Sequence, residues 1–282
     1  MSRRRGLALG AGLALVVGVA ALLVGAGPVS PPAWRLLGHG VEYNVFHLEP
    51  SLPPGAGVLH VVRIDPAAAD LRPRVAALLG GGSRTAREWC DSPRVMAVIN
   101  AGMYDADLAT HTGYLRVGDR VPSRRWVSKY QSILLLGPRR PDLPAATIRD
   151  AQPGEVAGAH VDYDTVIQNL RLVRHPGVNV WSASDRRWSE AAIALDREGR
   201  ILFLFSREPY TMRDFNQLVT RLPLGIVRAM HVEGGPEASL SVRGPGLALD
   251  LAGSYETGFL ENDGNGRQWP LPNVVTVERR SP

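Results

Sequence analysis

The chain has 282 residues, of which 45% are hydrophobic, so it can bury the core of one large domain or of two modest ones. Its formal net charge is +5, and Arg3, Arg4 and Arg5 supply three of these charges. The rest of the chain therefore carries about +2, and it has no basic stripe that alternates with aromatic residues. We expect no nucleic-acid partner.

The N-terminal segment has the pattern of a targeting signal. A basic start, residues 1–5, precedes a charge-free run from residue 6 to residue 27. This run is close to the ~20 residues that cross a bilayer, and it exceeds the ~7–15 apolar residues of an ordinary signal peptide. Residues 1–27 are therefore interpreted as a membrane anchor, or as a signal peptide cleaved near Ala26. We expect an exported protein, held by this segment in the membrane with the rest of the chain outside the cytoplasm, or secreted after cleavage.

A proline-rich stretch comes next, and residues 28–40 are interpreted as a linker. From residue 41 to residue 282 the sequence has neither a repeat nor a second change of composition, which indicates one domain. Cys90 is the only cysteine, so no internal disulfide can form. It follows Trp89 in a predicted helix, 83–91, and is interpreted as a small packed hydrophobe rather than a nucleophile.

Strand-like runs dominate the predicted domain. They cover residues 41–48, 58–64, 95–99, 114–117, 132–136, 165–173, 191–195, 201–205, 229–232 and 274–277. A second helix is predicted after Thr211, which can cap it together with Asp214, because apolar residues recur at helical spacing from Met212 to Leu222. Few helices among many strands, without regular alternation, favour an α+β fold: a single domain with a mixed, mostly antiparallel β-sheet.

One predicted strand ends in an unusual way. The apolar run 95–99 stops at Asn100, and Gly102, Tyr104 and Asp105 follow within five residues. A connecting turn and the rim of a binding site would both have this composition. We favour the rim, because an amide, a glycine and a carboxylate leave the core together, and we expect these residues to share a cleft with Glu233.

A second polar junction follows the predicted strand 229–232. In a strand, His231 and Glu233 point to the same face. Gly234 and Gly235 then allow a sharp turn with bare backbone N–H groups, a geometry that can bind an anion, and Ser239 adds a hydroxyl. The alternatives are an ordinary Gly-Gly turn with a solvated glutamate, and a packed core histidine instead of a catalytic base.

Five segments occur in the order found in one protein family. They are INAGMYD from residue 99, HTGYLRVGDR from residue 111, VIQNLRLV from residue 166, RRWSEAAIALDREGRILFLF from residue 186 and AMHVEGGPEASL from residue 229. Together they resemble a bacterial branch of the phosphodiester glycosidase domain family over residues 58–277. The uncovering enzyme of this family removes N-acetylglucosamine from a phosphodiester-linked mannose. The resemblance implies an envelope-located hydrolase of phosphodiester-linked, or otherwise activated, α-glycosides.

The resemblance also implies site residues. The positions that match family motifs are Asn100, Gly102, Tyr104, Asp105, Thr112 and Gln168. Other positions depart from the family: Glu233-Gly-Gly-Pro-Glu237 replaces Asp-Gly-Gly-Gly-Ser, and Asn169-Leu-Arg replaces Ser-Gly-Pro. Glu190 stands where an arginine is common, with Arg186 and Arg187 nearby.

The chemistry of such a substrate needs carboxylates and anion-binding donors. A phosphate ester leaves more readily than an alcohol, but the sugar cation must still be stabilised and water activated. We therefore predict Glu233 as the main catalytic carboxylate, acting as base or nucleophile, together with Asp105. Glu237 is the rival acid, although Pro236 is expected to turn it toward solvent.

The predicted ligand is a carbohydrate or a sugar phosphate. The predicted substrate-binding residues are Asn100, Gly102, Tyr104, Thr112, Gln168, Arg187, His231, Gly234, Gly235 and Ser239. No metal site and no cofactor are expected. The alternative function is that of a non-catalytic envelope domain which binds glycan or phosphoglycan in the same cleft.

Overall fold

The computed structural model describes residues 33–47, 57–105 and 107–280. The predicted anchor or signal peptide, residues 1–27, lies outside these residues. Within the described part of the chain, no helix has the length and apolar character needed to cross a membrane.

Sixteen strands and three α-helices form within the described residues. The strands are β1 Arg35–Gly38, β2 Val41–His47, β3 Val58–Ile64, β4 Ala69–Val75, β5 Val95–Asn100, β6 Leu115–Val117, β7 Arg120–Ser123, β8 Ser132–Pro138, β9 Ala146–Asp150, β10 Tyr163–Val173, β11 Trp188–Asp196, β12 Ile201–Tyr210, β13 Ile226–His231, β14 Ser239–Gly244, β15 Leu247–Ala252 and β16 Asn273–Arg279. The helices are α1 Ala86–Trp89, α2 Pro153–Asp162 and α3 Met212–Arg221.

The strands form two sheets. In the larger sheet the order is β1-β2-β3-β12-β11-β13-β10-β6-β7, and β8 pairs with both β10 and β9. In the smaller sheet the order is β15-β14-β5-β16-β4. The pairs of named strands in both sheets are antiparallel, so the predicted α+β single domain with a mostly antiparallel sheet is confirmed. Each predicted strand overlaps an observed one.

The main apolar core lies between the two sheets. Val62, Ile193 and Phe203 of the larger sheet share this core with Ile99 and Val275 of the smaller one. These side chains are fully buried, and burying one of this size stabilises the fold by about 1.5–3 kcal/mol. Successive residues of a strand point to opposite faces, so Ile193 of β11 lies in this core and Ala192 does not.

Helix α3 covers the outer face of the larger sheet. Thr211 caps it as predicted, because its hydroxyl oxygen accepts a hydrogen bond at 3.1 Å from the Asp214 N–H. Phe215 and Val219 are buried in a second apolar cluster together with residues of β11 and β12. The amphipathic pattern read from the sequence is thus the packing face of this helix.

The other helices differ from the sequence prediction. The predicted helix 83–91 is shorter, since Thr85 and Glu88 form a capping box that starts α1 at Ala86, and the helix ends before Cys90. Cys90 is buried, as expected. Helix α2 was not predicted, because Ala159 is its only buried residue and it has no apolar stripe.

Some strands also escaped prediction: β1, β4, β7, β9, β14 and β15. Strand β4 contains Pro73, which normally argues against a strand, but β4 lies at the edge of the smaller sheet, where a missing N–H is tolerated. Strand β1 lies inside the range 28–40 that the sequence assigned to a linker. Only Leu37 of this edge strand is buried, so its sequence carries almost no alternating signal.

At one end of the sandwich the chain crosses from the larger sheet to the smaller one. Strand β13 ends at His231, and β14 begins at Ser239. Strand β5 ends beside this crossover at Asn100, whose Nδ2 donates a hydrogen bond to the Glu233 backbone oxygen at 2.9 Å. The Glu233 N–H in turn donates to the Gly102 oxygen at 3.1 Å. The two polar junctions of the sequence therefore lie against each other.

Candidate active site

A cavity of about 330 Å³ opens at the crossover. This volume is near the lower end of the ~300–1,000 Å³ typical of small-molecule sites and suits a single sugar ring. Its walls are formed by Tyr104, Asp105, Leu108, Glu233, Glu237, Glu256, Phe259 and Trp269. We refer to Glu233, Glu237 and Glu256 as the glutamate trio. A larger cavity of about 530 Å³ beside His60 and Glu208 contains none of the predicted site residues.

Hydrogen bonds fix both the side chain and the backbone of Glu233. Its Oε2 accepts a hydrogen bond at 2.6 Å from the Tyr104 N–H. The Tyr104 hydroxyl donates to the Asn273 backbone oxygen at 2.8 Å, which fixes the segment that supplies this N–H. The backbone of Glu233 is bonded to Asn100 and Gly102, as described above. The carboxylate therefore has one preset orientation at the cavity wall.

Burial raises the pKa values of the trio. It raises the pKa of Glu233 to about 8, and the charges of Glu237 and Glu256 add to this effect. It raises the pKa of Glu237 to about 7, with the charge of Glu256 again adding. Near neutral pH the trio therefore holds protons as well as negative charge, and its members titrate together.

Glu237 was expected to face solvent, and this expectation is wrong. Glu237 is only 8% exposed and lines the cavity. The segment Gly235–Glu237 forms one turn of 3-10 helix with Pro236 inside it, so the chain folds back and carries the carboxylate inward. The Ser239 hydroxyl donates to the Glu237 backbone oxygen at 3.1 Å and supports the end of this turn.

Glu256 is a cavity-lining acid that sequence reasoning missed. It stands on a tight turn after β15, where the Leu260 N–H donates to the Glu256 oxygen at 3.0 Å and the Glu256 N–H donates back to the Leu260 oxygen at 2.9 Å. Gly235, at φ +62°, makes room for it: a Cβ there would lie 2.7 Å from Glu256 Oε2. In the sequence, Tyr-Glu-Thr-Gly-Phe is typical of a surface turn, and no local pattern reveals the contact with Gly235.

Of two adjacent arginines, Arg186 acts on the trio through its charge. Its guanidinium carbon lies 5.4 Å from the centre of the Trp188 ring. Burial raises the pKa of Glu256, while a hydrogen bond from Trp188 and the charge of Arg186 oppose the rise. The Arg187 backbone holds the turn that carries Glu256: its N–H donates to Thr257 Oγ1 at 2.9 Å, and its oxygen accepts from the Thr257 N–H at 3.0 Å. Contact of the Arg187 side chain with substrate stays a prediction.

Asn100 and Ser239 hold the crossover together. Both are fully buried. Asn100 Nδ2 donates to the Glu233 oxygen, and Asn100 Oδ1 accepts from the Ser239 N–H at 3.2 Å. The amide thus clamps the two ends of the segment that carries Glu233 and Glu237, and neither residue is part of the cavity wall. Contact of either side chain with substrate stays a prediction.

Gly102 lets a buried histidine pack beneath the crossover. A Cβ at Gly102 would overlap the His111 ring, so no larger residue fits there. His111 is almost fully buried, and burial lowers its pKa to about 4, an effect that Gln168 and Asn273 oppose only in part. The ring is therefore neutral at physiological pH and serves as packing at this position.

Gln168 and Thr112 support a loop beside the cavity. The Gln168 Oε1 accepts from the Tyr114 and Val127 N–H groups, and its Nε2 donates to the Val127 and Tyr130 oxygens, at 2.8–3.2 Å. Thr112 Oγ1 lies 3.1 Å from the Tyr130 hydroxyl. These contacts use every hydrogen-bonding position of the Gln168 amide. A role of either side chain in binding substrate stays a prediction.

His231 pairs with Glu190 behind the crossover. His231 Nδ1 and Glu190 Oε2 are 2.8 Å apart, and both side chains are buried. Burial raises the pKa of Glu190, and His231 opposes this rise. The pair lies beside Gly234, where a Cβ would be 2.9 Å from the Trp188 Cβ and 3.3 Å from the His231 ring. Glu190 thus has a histidine partner, and His231 is not part of the cavity wall.

Asp105 lies at the solvated rim of the same cavity. Its Oδ1 is 3.3 Å from Arg125 Nη1, and the two side chains are 40% and 63% exposed, so water screens this ion pair. Glu233 and Asp105 thus share one cavity, as expected, but Glu233 is partly buried and Asp105 is solvated. Among the described residues, no group of three or more His, Cys, Asp or Glu side chains could hold a metal ion.

An antiparallel two-sheet fold in which several carboxylic acids line one sugar-sized cavity has features found in glycosidase-type hydrolases. The family model described as Phosphodiester glycosidase matches residues 93–278, which is more than half of the chain. The chain therefore belongs to the phosphodiester glycosidase family, and the resemblance drawn from the sequence is confirmed. Membership of this family implies a carbohydrate-type substrate.

Two solved structures have a similar fold. One is the catalytic domain of zebrafish N-acetylglucosamine-1-phosphodiester alpha-N-acetylglucosaminidase, auto-inhibited by its pro-peptide, with a TM-score of 0.57 and 12% identity over 86% of this chain and 84% of that chain. The other is a hypothetical protein from Synechocystis, with a TM-score of 0.56 and 14% identity over 90% of this chain and 64%, less than two thirds, of that chain. At these identities the likeness establishes a shared fold. No curated protein matches the sequence.

Proposed function

We propose that this protein hydrolyses α-glycosides whose leaving group is a phosphate ester, or a group of similar leaving ability, at the glutamate trio. The observation that carries the proposal is that Glu233 and Glu237 line one cavity and that both have pKa values raised toward neutrality. Glycoside hydrolysis uses two carboxyl groups in different protonation states, one to give a proton and one to act on the anomeric carbon or on water. The family and the phosphodiester named for the zebrafish relative support this class of substrate.

Glu233 is the better proton donor of the pair. Because its pKa is about 8, it is mostly protonated at pH 7 and can give a proton to the departing oxygen. Glu237, with a pKa of about 7, supplies the ionised carboxylate that stabilises the sugar cation or activates the attacking water. This assigns Glu233 the role of acid in place of the base or nucleophile role that the sequence suggested.

The leaving phosphate departs toward the rim of the cavity. Arg125, paired with Asp105, and Arg186, above Trp188, supply the positive charge there. Arginine forks bind phosphate oxygens well, and neither of these guanidinium groups is buried. Glu233 contacts the bridging oxygen, and the guanidinium groups meet the negative charge on the other phosphate oxygens.

The test is Glu233→Gln, which keeps the shape of the side chain and removes the ionisable group. With an α-glycosyl phosphodiester as substrate, we expect kcat to fall by at least ~10²-fold, the scale of losing a positioned acid or base. The matched control is Glu208→Gln, in the larger cavity, which should turn over normally. Circular dichroism checks that both variants fold.

Near-normal turnover by a folded Glu233→Gln protein would move the chemistry elsewhere. A wild type that binds sugar but turns over none of a broad panel of phosphodiesters and activated glycosides would support the alternative, a non-catalytic glycan-binding function.

We also propose that the domain acts outside the cytoplasm, tethered by residues 6–27. A basic start followed by a charge-free run of this length supports an anchor with its N-terminus in the cytoplasm. A reporter that is active only in the cytoplasm, fused after Pro282, should therefore be silent. Strong reporter activity would contradict this location.

A further inference from the structure

Among the described residues, no cation lies within ion-pair distance of the glutamate trio, although the charge of Arg186 acts on Glu256 from farther away. Among the ion pairs of the described residues, none involves Glu233, Glu237 or Glu256. Glu233 accepts a hydrogen bond from a neutral backbone N–H, and Glu237 is 8% exposed, with its carboxylate free of hydrogen bonds from other described residues. Glu237 is the buried member, and buried carboxylates are normally paired, so its unpaired carboxylate beside two further acids points to a ligand that supplies the missing charge.

We propose that the sugar bound in this cavity carries a free amine, whose ammonium group is held by Glu237 and Glu256 while Glu233 keeps its proton for the departing oxygen. The inference rests on the proposed function and names the substrate class of the same site: an α-linked amino sugar that is not acetylated. An ammonium has three N–H donors and no acceptor, which matches ionised carboxylates, since these offer only acceptors. The attraction is strongest at Glu237, which is largely withdrawn from water.

We expect related sugars without a free amine to bind this cavity less tightly. A hydroxyl at the same position carries no charge, and an acetylated nitrogen has one N–H donor and no charge, so neither offsets the burial of the trio. A phosphate placed among the carboxylates would be repelled. In the proposed reaction the phosphate therefore lies at the rim beside Arg125 or Arg186, while the sugar ring enters with its amine first.

An aromatic surface beside the trio suits the ring of such a sugar. Phe259 is 62% exposed, and its ring centre lies 6.1 Å from that of Trp269, at an interplanar angle of 81°. Trp269 Nε1 donates to Asn265 Oδ1 at 3.3 Å, which fixes the orientation of the indole. Glu256 and Phe259 stand on one turn, closed by a hydrogen bond at 3.1 Å from the Phe259 N–H to the Glu256 oxygen. The cavity thus offers an apolar face and a group of anions in fixed relation, as an amino sugar requires.

Binding of an amine should release protons from the glutamate trio. At pH 7 part of the trio is protonated, and an arriving ammonium favours the ionised forms, so protons are released on binding. The affinity for the amine should therefore rise from pH 5 to pH 7. The titratable and charged side chains near the trio are Asp105, Arg125, Arg186, Tyr104, Tyr130, Glu190 and His231.

The test is calorimetric titration of the full chain at pH 7 with methyl α-glucosaminide, methyl α-N-acetylglucosaminide and methyl α-glucoside. We expect the free amine to bind at least ~10-fold more tightly than the other two, with a heat that changes with the ionisation enthalpy of the buffer because protons are released. Glu237→Gln should bring the three affinities within ~3-fold of each other. Glu256→Gln provides a second variant should the first fail to fold, and Glu208→Gln, the matched control, should keep the preference.

Four outcomes would each overturn the inference. They are equal affinities, tighter binding of the acetylated sugar, no binding of any of the three sugars, and the same loss of preference in Glu208→Gln. The outcome is separable from that of the proposed function. A wild type that cleaves phosphodiesters without preferring the amine retains the function and loses the inference. Amine-selective binding without hydrolysis retains the inference and loses the function.

Discussion

Glu278 and the glutamate trio are both withdrawn from water, at least in part, but only Glu278 has an ion pair among the described residues. Glu278, on β16, is 5% exposed and accepts hydrogen bonds from Arg74 Nε at 3.0 Å and from Thr276 Oγ1 at 2.8 Å. In the glutamate trio, Glu233 accepts instead from the backbone N–H of Tyr104, and no ion pair reaches the trio from the described arginines and lysines. The same residue type thus occurs in two electrostatic settings.

The difference separates a structural acid from a reactive one. Arg74 lies on β4, so its ion pair with Glu278 joins two neighbouring strands of the smaller sheet. The trio forms no ion pair between described residues and keeps protons near neutral pH, as acid–base chemistry requires. Holding Glu233 with a pKa of about 8 instead of 4.5 costs on the order of a few kcal/mol of stability when it is ionised. Such a cost is typical of a site kept for function rather than for folding.

The largest effect on stability that follows from this comparison is a pH dependence. The folded-state pKa of Glu233, about 8, lies above its ordinary value of 4.5. The folded protein therefore binds more protons than the unfolded chain in this interval, and the stability contributed by this group is full below pH 4.5 and is lost as the pH rises through 8. Glu233→Gln removes this loss. The difference in free energy of unfolding, variant minus wild type, should grow by a few kcal/mol between pH 5 and pH 9 in urea denaturation.

The paired acid supplies the control for this experiment. Glu278→Gln removes a carboxylate that has a cation beside it, so the variant should be less stable than the wild type, without a gain toward high pH. A flat difference for Glu233→Gln between pH 5 and pH 9 would mean that Glu233 is not perturbed by burial. The contrast between the trio and Glu278 would then be lost.

The place of the site could be predicted from the sequence because it depends on where two strands end. A continuous apolar run stops at Asn100, and an alternating run stops at Glu233. The structure joins these ends through the hydrogen bond from Asn100 to the Glu233 backbone. Strands with strong alternation were found for the same reason. Strand β14 was missed because its buried serines, such as Ser241 bonded to Asp250, hide the apolar pattern.

The chemical content of the site could not be predicted to the same degree. The direction of Glu237 depends on a single 3-10 turn, and the place of Glu256 depends on a close approach to Gly235 that no local pattern encodes. The amide of Gln168 proved to be saturated by backbone groups of a neighbouring loop. Side-chain direction after a turn and contacts between distant loops are properties of the packed structure, which periodicity does not carry.

A smaller effect is expected at the paired acid. Arg74→Met keeps much of the side-chain volume but removes the cation next to Glu278, so the buried carboxylate is left with Thr276 as its nearest donor. We expect a loss of about 1–2 kcal/mol at pH 7, because Arg74 is 36% exposed and water already screens part of the interaction. Arg72→Met is the matched control: Arg72 is 55% exposed, its Nε is 3.8 Å from Glu278, and its removal should cost less than ~0.5 kcal/mol.

Neither variant should alter turnover, since neither arginine lines the cavity. A loss of turnover without a loss of stability in Arg74→Met would show that the paired acid also takes part in the chemistry and would end the distinction between the two settings.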